Sequence, residues 1–234
     1  MQEKCDVPIW VLNLKRDEEK RRFMESQLDG FGNPYQIIEA VDGRALKEEE
    51  MAAYSKNMAL INYGRELTPG EIGCAFSHIH MWKLILTAGL DEVLILEDDI
   101  HIGKALFDVI NNRYKMPKDY QLINLSTEAL QIPFGEFITD IYRVSNHAEK
   151  PYSTGAYLIT KQGAKFLLDL VAPIYMPIDN FICVSGIKSY GIFPKVVVNA
   201  EIQSSIGRRS YNMPEPGFFL RKYRQFKDII KAVA

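Results

Sequence analysis

The chain has 234 residues, of which 47% are hydrophobic and 25% charged, and its formal net charge is −2. This composition is typical of a globular protein with enough apolar side chains for a sizeable core. The near-neutral charge provides no broad basic surface, so we expect no nucleic-acid partner. No apolar run approaches the roughly 20 residues that cross a bilayer, so we expect a soluble or peripheral protein.

The cysteines and the first residues bear on the compartment. Cys5, Cys74 and Cys183 are scattered and form no CxxC pair, so they predict neither a disulfide framework nor a zinc knuckle. The short apolar run near the start follows acidic residues and is typical of a buried strand rather than a secretion signal. We therefore expect a cytoplasmic protein in a reducing compartment.

Strand-like and helix-like segments alternate along the chain, which predicts an α/β fold with a mostly parallel central sheet covered by helices. Predicted helices begin after Asp17 and near Gly163 and Asp179. The predicted strands are Val7–Leu14, Tyr35–Val41, Glu92–Leu96, Gln121–Leu125, Phe137–Val144, Thr154–Thr160 and Val196–Val198.

The segment Thr68-Pro69-Gly70-Glu71 carries the clearest local signal. Thr68 suits an N-cap, proline suits the first helical position and Glu71 can complete a capping box. Apolar residues at helical spacing follow as far as Gly89, a typical helix stop.

The last segment differs from the rest. We find no linker before about residue 205 and predict a catalytic domain over 1–205 and a tail over 206–234. Its basic amphipathic helix would either lie on an anionic membrane surface or pack its apolar stripe on the domain. The apolar stripe and the basic residues are Phe219, Tyr223, Phe226, Ile230 and Val233, and Arg221, Lys222, Arg224, Lys227 and Lys231.

Three consecutive acids, Glu97, Asp98 and Asp99, directly follow the apolar strand Glu92–Leu96. Ligands of open α/β sheets bind beyond the carboxyl ends of strands, where carboxylates can hold a hard divalent cation. If the segment stayed extended, Glu97, Asp99 and His101 would share one side and could bind the metal. The alternative is that these acids merely solvate a loop or cap the following helix.

Phosphate-binding loops are missing from the sequence. It contains no GxxxxGK[ST], and no GxGxxG follows the first strand, where NLKRDE stands instead. The sequence therefore argues against kinases, dinucleotide enzymes and sugar-1-phosphate nucleotidyltransferases.

Several stretches together resemble glycosyltransferase family 25, which includes the bacterial lipooligosaccharide galactosyltransferases and collagen-modifying enzymes. They are WVLNLKRDEEKRR, EAVDGR, LTPGEIGCAFSHIHMW, LILEDDI, STGAYLITKQGAKFLL and PIDNFI, in the family's order. The resemblance implies a GT-A fold, a UDP-sugar donor that is most often UDP-galactose, and inversion to a β-linkage. It also implies Mn²⁺ or another divalent cation on the acidic triplet, and a lipid-carried lipooligosaccharide or lipopolysaccharide glycan as acceptor. Such an enzyme would be peripheral on the inner face of the cytoplasmic membrane.

The resemblance also suggests roles for individual residues. Asp179 is the candidate base that removes the acceptor proton, and His78 is a second catalytic candidate. Glu97, Asp99 and His101 are the candidate metal ligands. The candidate donor-binding residues are Asn13, Leu14, Arg16, Arg21, Asp42, Glu71, Ser77, Glu97, Asp98, Ser153, Thr154 and Gln203.

Structural readings compete with several of these roles. Asp42-Gly43 can be a plain turn, Glu71 a capping residue, Asp179 an N-cap, and His78 a satisfied core histidine. Two other functions also remain open. A metal-dependent phosphoester hydrolase would need further converging carboxylates and no acceptor, and a non-catalytic carbohydrate-binding protein would keep the fold without turnover.

Overall fold

The computed structural model describes residues 6–127 and 129–200. Gln203 and the predicted helix of the tail lie outside the described residues, so the tail and the boundary at residue 205 stay predictions. Within the described part of the chain, no helix has the length and apolarity that crossing a bilayer requires.

Eight strands form the central sheet, in the order β2-β1-β3-β8-β5-β9-β7-β6. Six of them run in one direction and β7 and β8 run in the other, which confirms the predicted α/β class with a mostly parallel sheet. A small antiparallel ladder joins β4 and β10. The strands are β1 Ile9–Asn13, β2 Tyr35–Glu39, β3 Glu92–Glu97, β4 Ile100–His101, β5 Leu122–Asn124, β6 Gln131–Phe137, β7 Arg143–His147, β8 Ala156–Thr160, β9 Ser189–Phe193 and β10 Val198–Asn199.

Helices cover both faces of this sheet. The α-helices are α1 Glu18–Asp29, α2 Lys56–Met58, α3 Pro69–Ala88, α4 Lys104–Asn111, α5 Lys161–Leu168 and α6 Ile178–Val184. A π-helical turn, Ala59–Tyr63, continues α2, and 3₁₀ turns lie at Glu50–Ala53 and Arg113–Lys115.

The pleat of the central strands divides the core into two apolar layers. Val11 and Leu94 face a cluster that includes α1 and α4, whereas Trp10 and Ile95 face one that includes α3, α5 and α6. This alternation follows from the two-residue period of a strand, and it explains why β1 and β3 are apolar at nearly every position.

The N-terminal part of α3 is joined closely to the loop after β2. Thr68 and Glu71 form the predicted capping box, and Gly89 ends the helix in a left-handed conformation. A Cβ on Gly73 would lie 2.5 Å from the carbonyl oxygen of Val41, so only glycine allows this approach of the two backbones. The glycines of the two motifs EAVDGR and LTPGEIGC therefore meet at one contact.

One predicted strand is wrong. Phe137–Val144 is not a single strand but the turn of an antiparallel hairpin, with β6 ending at Phe137 and β7 beginning at Arg143. The hydroxyl of Thr139 accepts a hydrogen bond from the backbone N–H of Tyr142, and this local bond stabilises the reversal of the chain.

Candidate active site

A cleft opens at the carboxyl ends of the parallel neighbours β1 and β3, between the start of α1 and the N-terminal half of α3. Among the predicted residues, those that line the cleft are Leu14, Arg16, Asp42, Ser77, Glu97, Asp98 and Asp99. Lys20 and Cys74, which the sequence did not single out, line it too.

The acidic triplet forms a turn rather than an extended segment. β3 ends at Glu97, and Asp98 and Asp99 turn the chain into β4. The extended geometry expected for residues 97–101 is therefore wrong. His101 lies on β4, exposed, in a T-shaped ring contact with Phe23, and it is not among the residues that line the cleft.

Asp98 is held by two neighbours from the first strand and helix. Asn13 Nδ2 donates a hydrogen bond to Asp98 Oδ2 at 2.7 Å, and the Lys20 ammonium group lies 3.3 Å from Asp98 Oδ1. All three side chains are buried. Lys20 also lies 3.6 Å from Asp99 Oδ2, so one ammonium group serves two carboxylates. Asn13, predicted to bind the donor, orients the acidic turn in this structure.

The protonation of the acidic turn reflects its burial. Burial raises the pKa of Asp99 to about 6, the negative charge of Glu97 adds to the rise, and Lys20 opposes it. Burial also raises the pKa of Asp98, against the opposing effects of Lys20 and Asn13. Desolvation is therefore the main cost of charge on these two carboxylates, and a bound cation would offset it.

His78 lies behind the acidic turn and is completely buried. Its Nε2 atom is 3.2 Å from Glu97 Oε1, and its Nδ1 atom is 2.8 Å from the hydroxyl of Tyr157. That hydroxyl oxygen accepts a hydrogen bond from Trp82 Nε1 at 3.1 Å. An indole N–H can only donate, so the Tyr157 oxygen accepts from Trp82, and the hydroxyl hydrogen of Tyr157 is available to donate to His78 Nδ1. The ring proton of His78 can then be on Nε2, where it donates a hydrogen bond to Glu97.

Two further predicted residues fix the wall of the cleft. Asp42 forms an ion pair with Arg16, and its Oδ1 accepts a hydrogen bond from the backbone N–H of Arg44, as in the turn considered from the sequence. Ser77 Oγ donates to the carbonyl of Gly73 and accepts from the N–H of Val41, so it joins α3 to the loop after β2.

A second polar cluster, which we call the serine–asparagine cluster, lies at the same edge of the sheet, beyond β5 and before β8. Asn124 Oδ1 accepts from the N–H groups of Ser126 and Thr127, and its Nδ2 donates to the carbonyl of Ser153. The hydroxyls of Ser126 and Ser153 are 2.7 Å apart. This cluster adjoins the acidic turn, because the N–H of Glu97 donates to the carbonyl of Gly155.

Other predicted residues lie away from the cleft lining. Arg21 is exposed and pairs with Glu25 on α1. Glu71 is buried, where it binds Arg65 through two hydrogen bonds and completes the capping box. Thr154 is buried just before β8.

Asp179 is buried in the first turn of α6, and the N-cap position is Pro177. The N-cap alternative for Asp179 is therefore wrong. Its Oδ1 accepts a hydrogen bond from the N–H of Asn180, and its charge helps to raise the pKa values of Cys183 and Tyr152, for which burial is the larger cause.

The sequence contains signals for Lys20 and Cys74, the two cleft residues that it did not single out. Lys20 precedes the buried Met24 and Leu28 by one and two helical turns, so a lysine occupies the apolar face of α1. Cys74 lies one turn before His78 on α3, which places a thiol and an imidazole on one face.

Comparisons with known proteins agree on one family. The pattern of glycosyltransferase family 25 (LPS biosynthesis protein) matches residues 6–182. Procollagen galactosyltransferase 2 of Homo sapiens is 32% identical over 187 residues, which cover 74% of this chain and 29% of that protein. A glycosyltransferase 25 family member of Drosophila melanogaster is 33% identical over 184 residues, covering 74% of this chain and 30% of its own. The match thus spans less than a third of these relatives' length.

A solved glycosyltransferase involved in glycosylation of the major capsid of PBCV-1 has a TM-score of 0.34 and 14% identity, covering 70% of this chain and 66% of its own. At this score, the description of the fold rests on the strand order and the helices of the chain itself.

Proposed function

Because the chain belongs to glycosyltransferase family 25, we propose that it transfers galactose from UDP-galactose to a glycan acceptor, with inversion to a β-linkage. The observation that carries the proposal is the cleft at the carboxyl ends of β1 and β3, whose lining includes the carboxylates of Glu97, Asp98 and Asp99. This is the edge of an open α/β sheet where ligands bind. The names of the relatives, procollagen galactosyltransferases, favour galactose as the sugar.

The acidic turn suits Mn²⁺ or a similar divalent cation. Its donors are carboxylate oxygens, which hard cations prefer, and the raised pKa of Asp99 shows that its charge is poorly compensated. We assign Glu97 and Asp99 as ligands. Asp98 is engaged by Asn13 and Lys20 and orients the turn. When bound, such an ion stabilises the negative charge that develops on the departing UDP.

The remaining cleft residues fit a nucleotide-sugar. Leu14 and Arg16 follow β1 and line the cleft together with Asp42, where they can contact the uridine and its ribose. Lys20 can shift from Asp99 toward a phosphate once a metal ion joins the carboxylates. Ser77 supports the wall of the cleft, and Ser153 belongs to the adjoining serine–asparagine cluster.

The two catalytic candidates receive different roles. Asp179 remains our proposed base for the acceptor hydroxyl, since a buried carboxylate at the start of a helix is held rigidly. His78 is completely buried with a partner at each ring nitrogen, so we assign it the positioning of Glu97.

For the acceptor we propose a lipid-carried glycan of the lipopolysaccharide type, in keeping with the family's description. The relatives' names provide a second candidate, a procollagen polypeptide. A cytoplasmic enzyme that binds the membrane through its basic tail would meet the first acceptor.

The test is UDP release from a panel of UDP-sugars, with Mn²⁺ or a chelator, and with a lactose-terminated glycan, a procollagen peptide or no acceptor. The proposal predicts release from UDP-galactose that needs an acceptor and disappears with chelator. Release without acceptor would instead support the hydrolase. Binding of UDP-sugar with no release under any condition would support a non-catalytic protein.

A further inference from the structure

We infer that Cys74, His78 and Glu97 form a zinc-selective site in the floor of the cleft, distinct from the oxygen-donor site of the acidic turn but sharing Glu97 with it. One potential ligand atom from each of the three residues lies within 4.8 Å of the other two. The set combines a thiol, an imidazole and a carboxylate, which are the three side-chain ligand types of zinc sites.

The local geometry is close to what zinc needs. Bonds of about 2.0–2.3 Å in a tetrahedral arrangement place ligand atoms roughly 3.4–3.6 Å apart. His78 Nε2 and Glu97 Oε1 are already 3.2 Å apart. Cys74 lies one helical turn before His78 on the same face of α3, and its sulfur lies within 4.8 Å of a potential ligand atom of both His78 and Glu97.

The surroundings of His78 are those of a metal ligand. A ligating histidine usually has its other ring nitrogen held by a hydrogen bond, and Tyr157 provides that bond at Nδ1, itself anchored by Trp82. Zinc binding requires the other tautomer of His78: the ring proton moves from Nε2 to Nδ1, and Nε2 gives its lone pair to zinc. The hydrogen bond between Nδ1 and Tyr157 then reverses, with Nδ1–H donating to the Tyr157 oxygen. The Cys74 thiol releases its proton to solvent as the sulfur–zinc bond forms.

The fourth position would be open to the cleft. Cys74 and Glu97 both line the cleft, whereas His78 lies behind them. Three protein ligands with one open position leave room for water or for an oxygen of a bound molecule. The thiolate distinguishes this site from the acidic turn, because sulfur ligands select zinc or cobalt and disfavour manganese.

Because the zinc site and the manganese site share Glu97, zinc binding should affect sugar transfer. A zinc ion that occupies Glu97 removes it from the manganese site, so zinc should inhibit transfer even with excess Mn²⁺. This consequence rests on the proposed function, whereas zinc binding itself does not.

The experiment uses the full chain and Co²⁺ as a spectroscopic probe, compared among the wild type, Cys74→Ser and the matched control Cys183→Ser. We expect a thiolate-to-cobalt charge-transfer band in the wild type and in Cys183→Ser, abolished by stoichiometric Zn²⁺ and not by Mn²⁺. The band should be missing in Cys74→Ser. Its absence from the wild type, or its persistence in Cys74→Ser, would overturn the proposal.

A second measurement needs no variant. Alkylation of Cys74, followed by mass spectrometry, should slow at least tenfold with Zn²⁺ and remain unchanged with Mn²⁺, while alkylation of Cys183 responds to neither ion. Equal alkylation of Cys74 with and without Zn²⁺ would contradict the site. Neither readout involves sugar transfer, so failure of the galactosyltransferase proposal would leave both results interpretable.

Discussion

Two groups of polar side chains lie side by side at one edge of the central sheet, and the protein satisfies them differently. In the serine–asparagine cluster, the amide of Asn124 bonds to backbone groups on both sides, and the hydroxyls of Ser126 and Ser153 bond to each other. In the acidic turn, Lys20 lies against both Asp98 and Asp99, and the pKa of Asp99 is raised to about 6.

This difference indicates that the serine–asparagine cluster stabilises the fold and that the acidic turn belongs to a binding site. Buried polar groups that are fully hydrogen-bonded to one another add stability and specificity of packing. Buried carboxylates whose pKa values are raised cost stability, and such groups cluster where a ligand or reaction uses them. We therefore expect changes in the acidic turn to affect activity and changes in the serine–asparagine cluster to affect stability.

The largest expected effect is that of Asp99→Asn on transfer. Loss of a ligand to the proposed metal should lower kcat roughly 100- to 1000-fold, corresponding to the several kcal/mol that a Lewis-acid metal contributes. Asp108→Asn, which changes an exposed acid on α4, is the matched control and should have wild-type activity. Initial rates of transfer at saturating Mn²⁺ are measured for both variants. Equal rates for Asp99→Asn and Asp108→Asn would show that the acidic turn has no special role in catalysis.

Lys20→Met should destabilise the protein by about 3–5 kcal/mol, since it leaves buried carboxylate charge without its partner. The control is Lys104→Met, which breaks an exposed pair on α4 and should cost below about 1 kcal/mol. Urea unfolding in chelator measures the two costs. Adding Mn²⁺ should restore part of the loss in Lys20→Met. Similar costs for both variants would show that Lys20 does not stabilise the acidic turn.

Asn124→Ala should cost about 1–3 kcal/mol of unfolding free energy, because it leaves buried backbone N–H groups without an acceptor. At a temperature where the variant is fully folded, its kcat/KM should equal that of the wild type. A large loss of kcat/KM in folded protein would instead place the serine–asparagine cluster in the binding site.

The pH dependence of stability tests the environment of Asp99 directly. The pKa of Asp99 is about 6 in the folded protein and 3.8 ordinarily, so the folded state binds more protons between these values. The contribution of Asp99 to stability therefore falls as pH rises from 3.8 to about 6 and is constant above. The difference in unfolding free energy between wild type and Asp99→Asn isolates this contribution. A difference that does not change with pH in metal-free buffer would contradict the burial of Asp99.

Features formed by neighbours in the sequence could be predicted, whereas contacts between distant segments could not. The capping box of Thr68 and Glu71 and the acidic triplet after β3 involve neighbours in the chain, and both lie where the sequence placed them. The pairing of Lys20 with Asp98 joins residues 78 positions apart, so it depends on how α1 packs against the end of β3.

The same reason explains the errors. The strand before Asp98 and Asp99 predicts that they continue extended, but a turn between β3 and β4 directs His101 elsewhere. The support of His78 by Tyr157 needs the pairing of β3 with β8, which no local pattern encodes.

We propose that the acidic turn holds a metal ion that binds the diphosphate of a nucleotide-sugar. Electron paramagnetic resonance of Mn²⁺, titrated with wild type or Asp99→Asn in the presence and absence of UDP, tests it most directly. We predict that UDP tightens Mn²⁺ binding at least tenfold in the wild type and that Asp99→Asn abolishes this coupling. Mn²⁺ binding that is independent of UDP, or coupling that survives Asp99→Asn, would contradict the account.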